Sequence, residues 1–225
     1  MGQNVFKKAA AVSVLLFLPL ILLLSPSAEV NAKKRFNMSY IYFGDSSEYL
    51  YLTENANGSL DEISPNYFNV DSDGKLVLTT ALDTGFVKKM HEKGIKVVPF
   101  ISNHWDIESG KKALENRKAL TQDIADAVAE YDLDGINVDI EGLNEKYRSE
   151  YTDFVRLLRN KLPQGKTIAV SVASNPWGTE KGWQGSYDYE ALSKYSDYLM
   201  IMAYDEHYGG SEPGPVAGAA FVESS

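Results

Sequence analysis

YDLDGINVDIEGLNEKY, Tyr131–Tyr147, is the stretch on which the fold turns. Ile136, Val138 and Ile140 alternate with Asn137, Asp139 and Glu141, and a period of two is the mark of a β-strand. One face of that strand is apolar; the other carries an amide and two carboxylates. Alternate residues on a strand lie about 6.5–7 Å apart on one face, so Asp139 and Glu141 lean toward a common point. A solvated edge strand tolerates this pattern, and so does a catalytic cleft. Two neighbouring carboxylates resist ionising together, so one of them keeps its proton to higher pH and can serve as an acid. Glu141, nearest the strand end, is the expected acid. Asp139 lies deeper and is expected to stay charged, steadied by hydrogen bonds from Asn137.

Around this strand the chain alternates strands with helices. Met38–Phe43 reads as a first strand, and 64–70 as an extended segment. Asp71-Ser72-Asp73-Gly74 is a turn into the strand 75–79. A helix over 83–93 ends at Gly94, an ordinary C-terminal glycine. Strands follow over 96–101, 167–172 and 198–203, with helices over 116–131, 144–162 and 187–194. Near-continuous apolar strands between helices imply a parallel sheet covered on its faces. A doubly wound sheet would place the Asn137/Asp139/Glu141 face beneath a helix, where two unpaired carboxylates are costly. In a (β/α)8 barrel, inward groups at the C-terminal strand ends are where the chemistry sits. The expected fold is therefore α/β, a TIM (β/α)8 barrel. Only six strands are counted on the barrel path, so it is expected to be truncated after the sixth.

The chain has 225 residues, no cysteine and a net charge of −9. Phosphate binding needs a basic face, so no nucleic-acid partner is expected. No glycine-rich phosphate loop follows the first strand, no metal-ligand set is evident, and no cofactor is expected. Lys7 and Lys8 precede the uncharged run Ala9–Leu24, and Val30-Asn31-Ala32 fits a small-residue cleavage site. Residues 1–32 are read as a signal peptide and 33–225 as the catalytic domain. The apolar run falls short of the roughly 20 residues a spanning helix needs, so no lasting membrane anchor is expected.

Asp134-Gly135-Ile136-Asn137-Val138-Asp139-Ile140-Glu141 resembles the D-G-x-D-x-D-x-E signature of family 18 glycoside hydrolases, which include chitinases and endo-N-acetylglucosaminidases. Met202-Ala203-Tyr204-Asp205 resembles the family's M-x-Y-D on the sixth strand. Between them, Tyr187-Asp188-Tyr189 and Asp197-Tyr198 are similar to the run that precedes that strand. The resemblance implies a substrate-assisted retaining mechanism, one of the exceptions to the two-carboxylate scheme. Glu141 would be the acid, Asp139 would hold the sugar's acetamido N–H, and Tyr204 would donate to its oxygen. The expected substrate-binding set is Asn137, Asp205, Trp177 and Tyr40, with Trp177 chosen for its place after a strand. The family's usual aspartate is replaced here by Asn137, as in a bacterial subgroup that acts on peptidoglycan and spore cortex. The implied partner is thus a polysaccharide containing N-acetylglucosamine, chitin or peptidoglycan, met outside the cell or at its wall. A sugar-binding or inactive remnant of such an enzyme is the alternative.

Other features have plainer readings. Trp105, Trp177 and Trp183 follow strands and serve either a sugar face or loop packing. His104 and His207 lie near the expected rim without forming a metal set. Asn69-x-Asp71-x-Asp73-Gly74 opens like a calcium loop, but Thr80 stands where its last ligand would be, so a hairpin turn fits better.

Overall fold

Parallel strands, taken in chain order, make the wall that carries the site. The computed structural model describes residues 35–225, so the expected leader over 1–32 lies outside the described residues. β1 (Met38–Ile41) is followed by α1 (Ser46–Asn55) and pairs in parallel with β2 (Glu62–Pro65). The chain resumes as β3 (Phe68–Val70), which turns back antiparallel as β4 (Leu76–Leu78). After α2 (Thr84–Glu92), the expected strand over 96–101 is split into β5 (Lys96–Val97) and β6 (Phe100–Ser102). Pro99 lies in the break, and a proline has no N–H to give to a ladder. α3 (Ile107–Glu115) and α4 (Arg117–Glu130) lead into β7 (Gly135–Asp139), and α5 (Arg148–Lys161) leads on to β8 (Thr167–Ala173). A single turn, α6 (Gly182–Gly185), and α7 (Tyr189–Tyr195) precede β9 (Tyr198–Met202), and α8 (Ala219–Ser224) follows.

The ladders run β1-β2-β5 and β4-β3-β6-β7-β8-β9. A backbone bond links them beside the broken strand: Asp134 N–H, at the entry to β7, donates to Val97 O of β5 at 2.8 Å. Apart from the β4 hairpin, the strands stand side by side in sequence order, all parallel. A doubly wound sheet reverses its strand order at a switch point, and this wall has no such reversal. Among the described residues β1 and β9 are not paired with each other. Side chains nevertheless meet across the concave interior. Tyr40 Oη of β1 lies 2.7 Å from Ser171 Oγ of β8, and the Tyr198 hydroxyl of β9 donates to Glu62 of β2.

On the outer side, Ile136, Val138, Ile168, Val170 and Val172 are fully buried in one core with Leu120, Ile124 and Val128 of α4 and Tyr151, Phe154 and Leu158 of α5. Asp71 closes the β3–β4 hairpin, its Oδ1 accepting from the N–H groups of Asp73 and Lys75 at 2.9 and 2.8 Å. The segment over 71–74 is thus a turn, as expected. Helices α1 and α3 were not anticipated. Each starts on an aspartate cap, Asp45 and Asp106, whose side chain accepts from N–H groups of the first turn. Among the described residues, no helix is long and apolar enough to cross a membrane.

Candidate active site

β7 is held at both ends before it presents any chemistry. At its entry, Asp134 Oδ2 accepts from Val97 N–H and lies against His91 Nε2, both at 2.8 Å. At its exit Asp139 is the last strand residue and Glu141 lies two residues beyond it. Asn103, just past β6 and 2% exposed, clamps Glu141 from both sides. Its Oδ1 accepts from Glu141 N–H at 2.8 Å and its Nδ2 donates to Glu141 O at 2.9 Å. Tyr187 Oη donates to Ile140 O at 3.3 Å and receives the Trp183 indole N–H at 3.0 Å. The backbone under the expected acid is therefore fixed by side chains from two other loops.

Asn103 was not among the expected site residues, because it acts through peptide groups and leaves no motif. Its place after a strand was the only hint. Asn103→Ala is expected to lower turnover about 10–100-fold, because a displacement of about 1 Å at a reacting group costs that much. Turnover measured on a variant whose circular dichroism matches the parent checks this. Unchanged turnover would show that the clamp does not position Glu141.

Burial dominates the electrostatics. Glu141 is 9% exposed, and burial pushes its pKa up to about 8, with the Asp139 and Asp205 carboxylates adding to the rise. A hydrogen bond from Trp105 partly offsets it. Burial also pushes Asp139 up to about 6, against a hydrogen bond from Ser171. Asp139 Oδ1 is buried without a hydrogen-bond partner among the described residues.

Asn137 does not steady Asp139 as expected. Its Nδ2 donates to Tyr40 Oη at 2.8 Å, and its Oδ1 accepts from Ser171 Oγ at 3.2 Å. Tyr40 from β1 and Ser171 from β8 converge on the amide and use both of its ends. Asn137 is fully buried and lies beneath the site rather than on its surface. Tyr40 takes the surface place, with its hydroxyl pKa raised by burial.

Two cavities of about 530 Å³ each meet at Glu141, Met202 and Tyr204. One adds Tyr40, Tyr42, Phe100, Asp139 and Ser171. The other adds Trp105, Trp177, Trp183, Asp205, Glu206 and Phe221. The structure thus gathers Glu141, Asp139, Tyr204, Asp205, Trp177 and Tyr40 around one continuous groove. Burial raises the Tyr204 pKa, as do Glu141, Asp139 and Asp205, which places its hydroxyl within their field. His104 points to other work: its ring lies 3.0 Å from Tyr42 Oη and 2.8 Å from Asn69 Oδ1. Phe221 was not anticipated; it comes from the alanine-rich tail and faces Trp177 with ring centroids 6.2 Å apart.

A chain-ordered parallel α/β wall with a buried glutamic acid at the end of a central strand has the layout of a glycosidase. Residues 38–220 match the glycosyl hydrolases family 18, and the chain belongs to that family. It is 26% identical to the uncharacterized glycosylase YvbX of Bacillus subtilis over 97% of this chain and 65% of that protein. It is 28% identical to the cortical fragment-lytic enzyme of Bacillus anthracis over 40% of this chain and 21% of that one. The fold is shared with a chitinase from Chromobacterium violaceum (TM-score 0.72, 24% identity, 83% of this chain and 62% of that one). It is shared as well with the Bacillus cereus spore cortex-lytic enzyme SleL (TM-score 0.74, 20% identity, 84% of this chain and 47% of that one). The chain spans less than two thirds of the length of each of these proteins.

Proposed function

We propose that this chain is the catalytic part of a secreted hydrolase that cleaves β-1,4-linked N-acetylglucosamine glycans, chitin or peptidoglycan, by a substrate-assisted retaining mechanism. The parallel strands are read as six of the eight of a (β/α)8 barrel, and residues 1–32 as the leader that directs export. Glu141 protonates the glycosidic oxygen. The acetamido carbonyl of the sugar attacks the anomeric carbon, and the leaving sugar departs with the proton. The product of that step is an oxazolinium-type ring, whose positive charge Asp139 stabilises through the acetamido N–H. Tyr204 donates its hydroxyl to the acetamido oxygen and orients it for attack. Glu141, now ionised, takes a proton from the incoming water, which opens the ring with retention. Asp205 and Trp177 hold the sugar on the far side of Glu141.

One observation carries this reading: Asp139 Oδ1 is a buried acceptor with no donor among the described residues, beside a glutamic acid that holds its proton at neutral pH. Leaving a buried acceptor unpaired is costly, and an acetamido N–H would satisfy it. Between about pH 6 and 8, Asp139 is ionised while Glu141 is protonated, which is the pairing the mechanism uses.

The test is a matched pair of tetrasaccharides, chitotetraose and cellotetraose, which differ by acetamido against hydroxyl at C2. Reducing ends are expected from the first and none above background from the second. Cleavage of both at similar rates would show that the neighbouring group takes no part.

A further inference from the structure

The two cavities that meet at Glu141 differ in the chemistry of their linings. Their roles rest on the hydrolase reading above. The attacking sugar must bring its acetamido group to Asp139, which lines only the cavity shared with Tyr40 and Phe100. The leaving sugar then lies on the other side of Glu141, among Trp105, Trp177, Trp183 and Phe221.

That second cavity is an aromatic box whose charges are all of one sign. The Asp205 and Glu206 carboxylates line it beside Glu141, which holds its proton at neutral pH, and among the described residues no lysine, arginine or histidine lines it. The Glu206 carboxylate is not a free surface group. Its Oε2 accepts from Gly218 N–H at 2.7 Å, and its own N–H donates to Val216 O at 2.9 Å. The segment running into α8 is thereby tied down, and α8 brings Phe221 against Trp177, with ring centroids 6.2 Å apart. Trp105 and Trp183 line it too, their ring centroids 4.8 Å apart. Aromatic faces suit the apolar C–H faces of any pyranose and read little of its substituents. Ser174, Gln184 and Tyr208 add uncharged polar groups, which leaves the two carboxylates as the groups that respond to a sugar's charge.

We propose that the leaving-group cavity selects by charge, accepting a neutral or amine-bearing sugar and disfavouring one with a free carboxylate. N-acetylglucosamine or glucosamine fits this requirement. A muramic acid unit with its lactyl carboxylate ionised does not, although its methyl ester does. A carboxylate brought into this cavity meets repulsion from Asp205 and Glu206 that, partly screened by water, weakens binding about tenfold. Added salt erodes this penalty, whereas a steric penalty would remain.

The tryptophans lining the cavity provide the readout. Intrinsic fluorescence of the Glu141→Gln protein is titrated with N-acetylglucosaminyl-N-acetylmuramic acid, with its methyl ester, and with diacetylchitobiose. At low salt the ester and diacetylchitobiose are expected to bind about tenfold more tightly than the acid. The gap is expected to close at about 0.5 M salt and to narrow with an added Glu206→Gln substitution. Equal binding of acid and ester at low salt would overturn the proposal, as would a gap that salt and Glu206→Gln leave unchanged. Cleavage of chitotetraose by the unsubstituted protein is read separately. Cleavage without a charge gap would leave the hydrolase standing and remove the filter; a gap without cleavage would do the reverse.

Discussion

Glu141→Gln is expected to lower hydrolysis at least about 10³-fold while leaving oligosaccharide binding within about twofold, because general acid catalysis contributes about 10²–10⁴. Glutamine keeps the shape of the protonated acid, so the Asn103 clamp and the Trp105 contact have no steric reason to change. The same substitution has a second signature. Glu141 holds its proton up to about pH 8 in the fold, against about 4.3 for an unperturbed glutamate. Its folded-state pKa lies above its unfolded value, so the folded state binds more protons between those limits and stability falls as pH rises through the interval. Below about pH 4 the group is protonated in both states and costs nothing. Above about 8 the whole penalty is present, and glutamine removes it. Glu141→Gln should therefore raise stability by up to about 5 kcal/mol at pH 9 and leave it nearly unchanged at pH 4. Turnover together with urea unfolding at the two pH values checks both halves. Turnover retained by the variant would take the acid role away from Glu141.

Asp139 and Glu141 could be read in advance because a strand sends alternate side chains to opposite faces, and carboxylates on the inner face of a buried strand need a reason. Tyr204 and Asp205 could be read through the second motif. Helices α1 and α3 escaped notice for a physical reason. α1 buries only Tyr49 and Thr53 and so shows no apolar stripe, whereas α3 buries Ser109, Gly110, Ala113 and Leu114 at helical spacing, but with side chains too small to make a strong apolar signal. The direction of the Asn137 amide depends on Tyr40, 97 positions earlier, and the clamp on Glu141 depends on Asn103, 38 positions earlier. Such partners are chosen by how the strands pack side by side. A local pattern holds no record of that choice, and the same is true of Phe221 reaching the groove from the tail. Family membership was legible because its motif lies on one strand. The groove around that strand is assembled from distant segments.

Gly135→Ala is expected to be the most disruptive single methyl group in the strand that carries the site. A Cβ at this position would stand 1.9 Å from Thr167 O and 2.7 Å from Thr167 N, both of them backbone atoms. Gly135 pairs with Thr167 in the β7–β8 ladder, and Thr167 N–H donates to Asp134 O at 2.8 Å. No side chain can swing away to make room, so the two strands must part where β7 begins. Forcing atoms into a packed core typically costs about 1–3 kcal/mol, and more where backbone must yield; a loss above about 3 kcal/mol is expected here. For a domain of this size that corresponds to a drop in Tm of about 6–12 °C. Gly94→Ala is the control. Gly94, like Gly135 (φ +156°), has a positive φ, +72°, but a Cβ there would meet nothing within 4 Å, so only the backbone penalty of about 1 kcal/mol applies. Thermal unfolding of the two variants should separate them at least threefold in destabilisation. If Gly135→Ala melted no lower than Gly94→Ala, the pairing of Gly135 with Thr167 would be wrong. A shift of one residue there would turn Asp139 away from the groove, since side chains reverse faces with every single step of register.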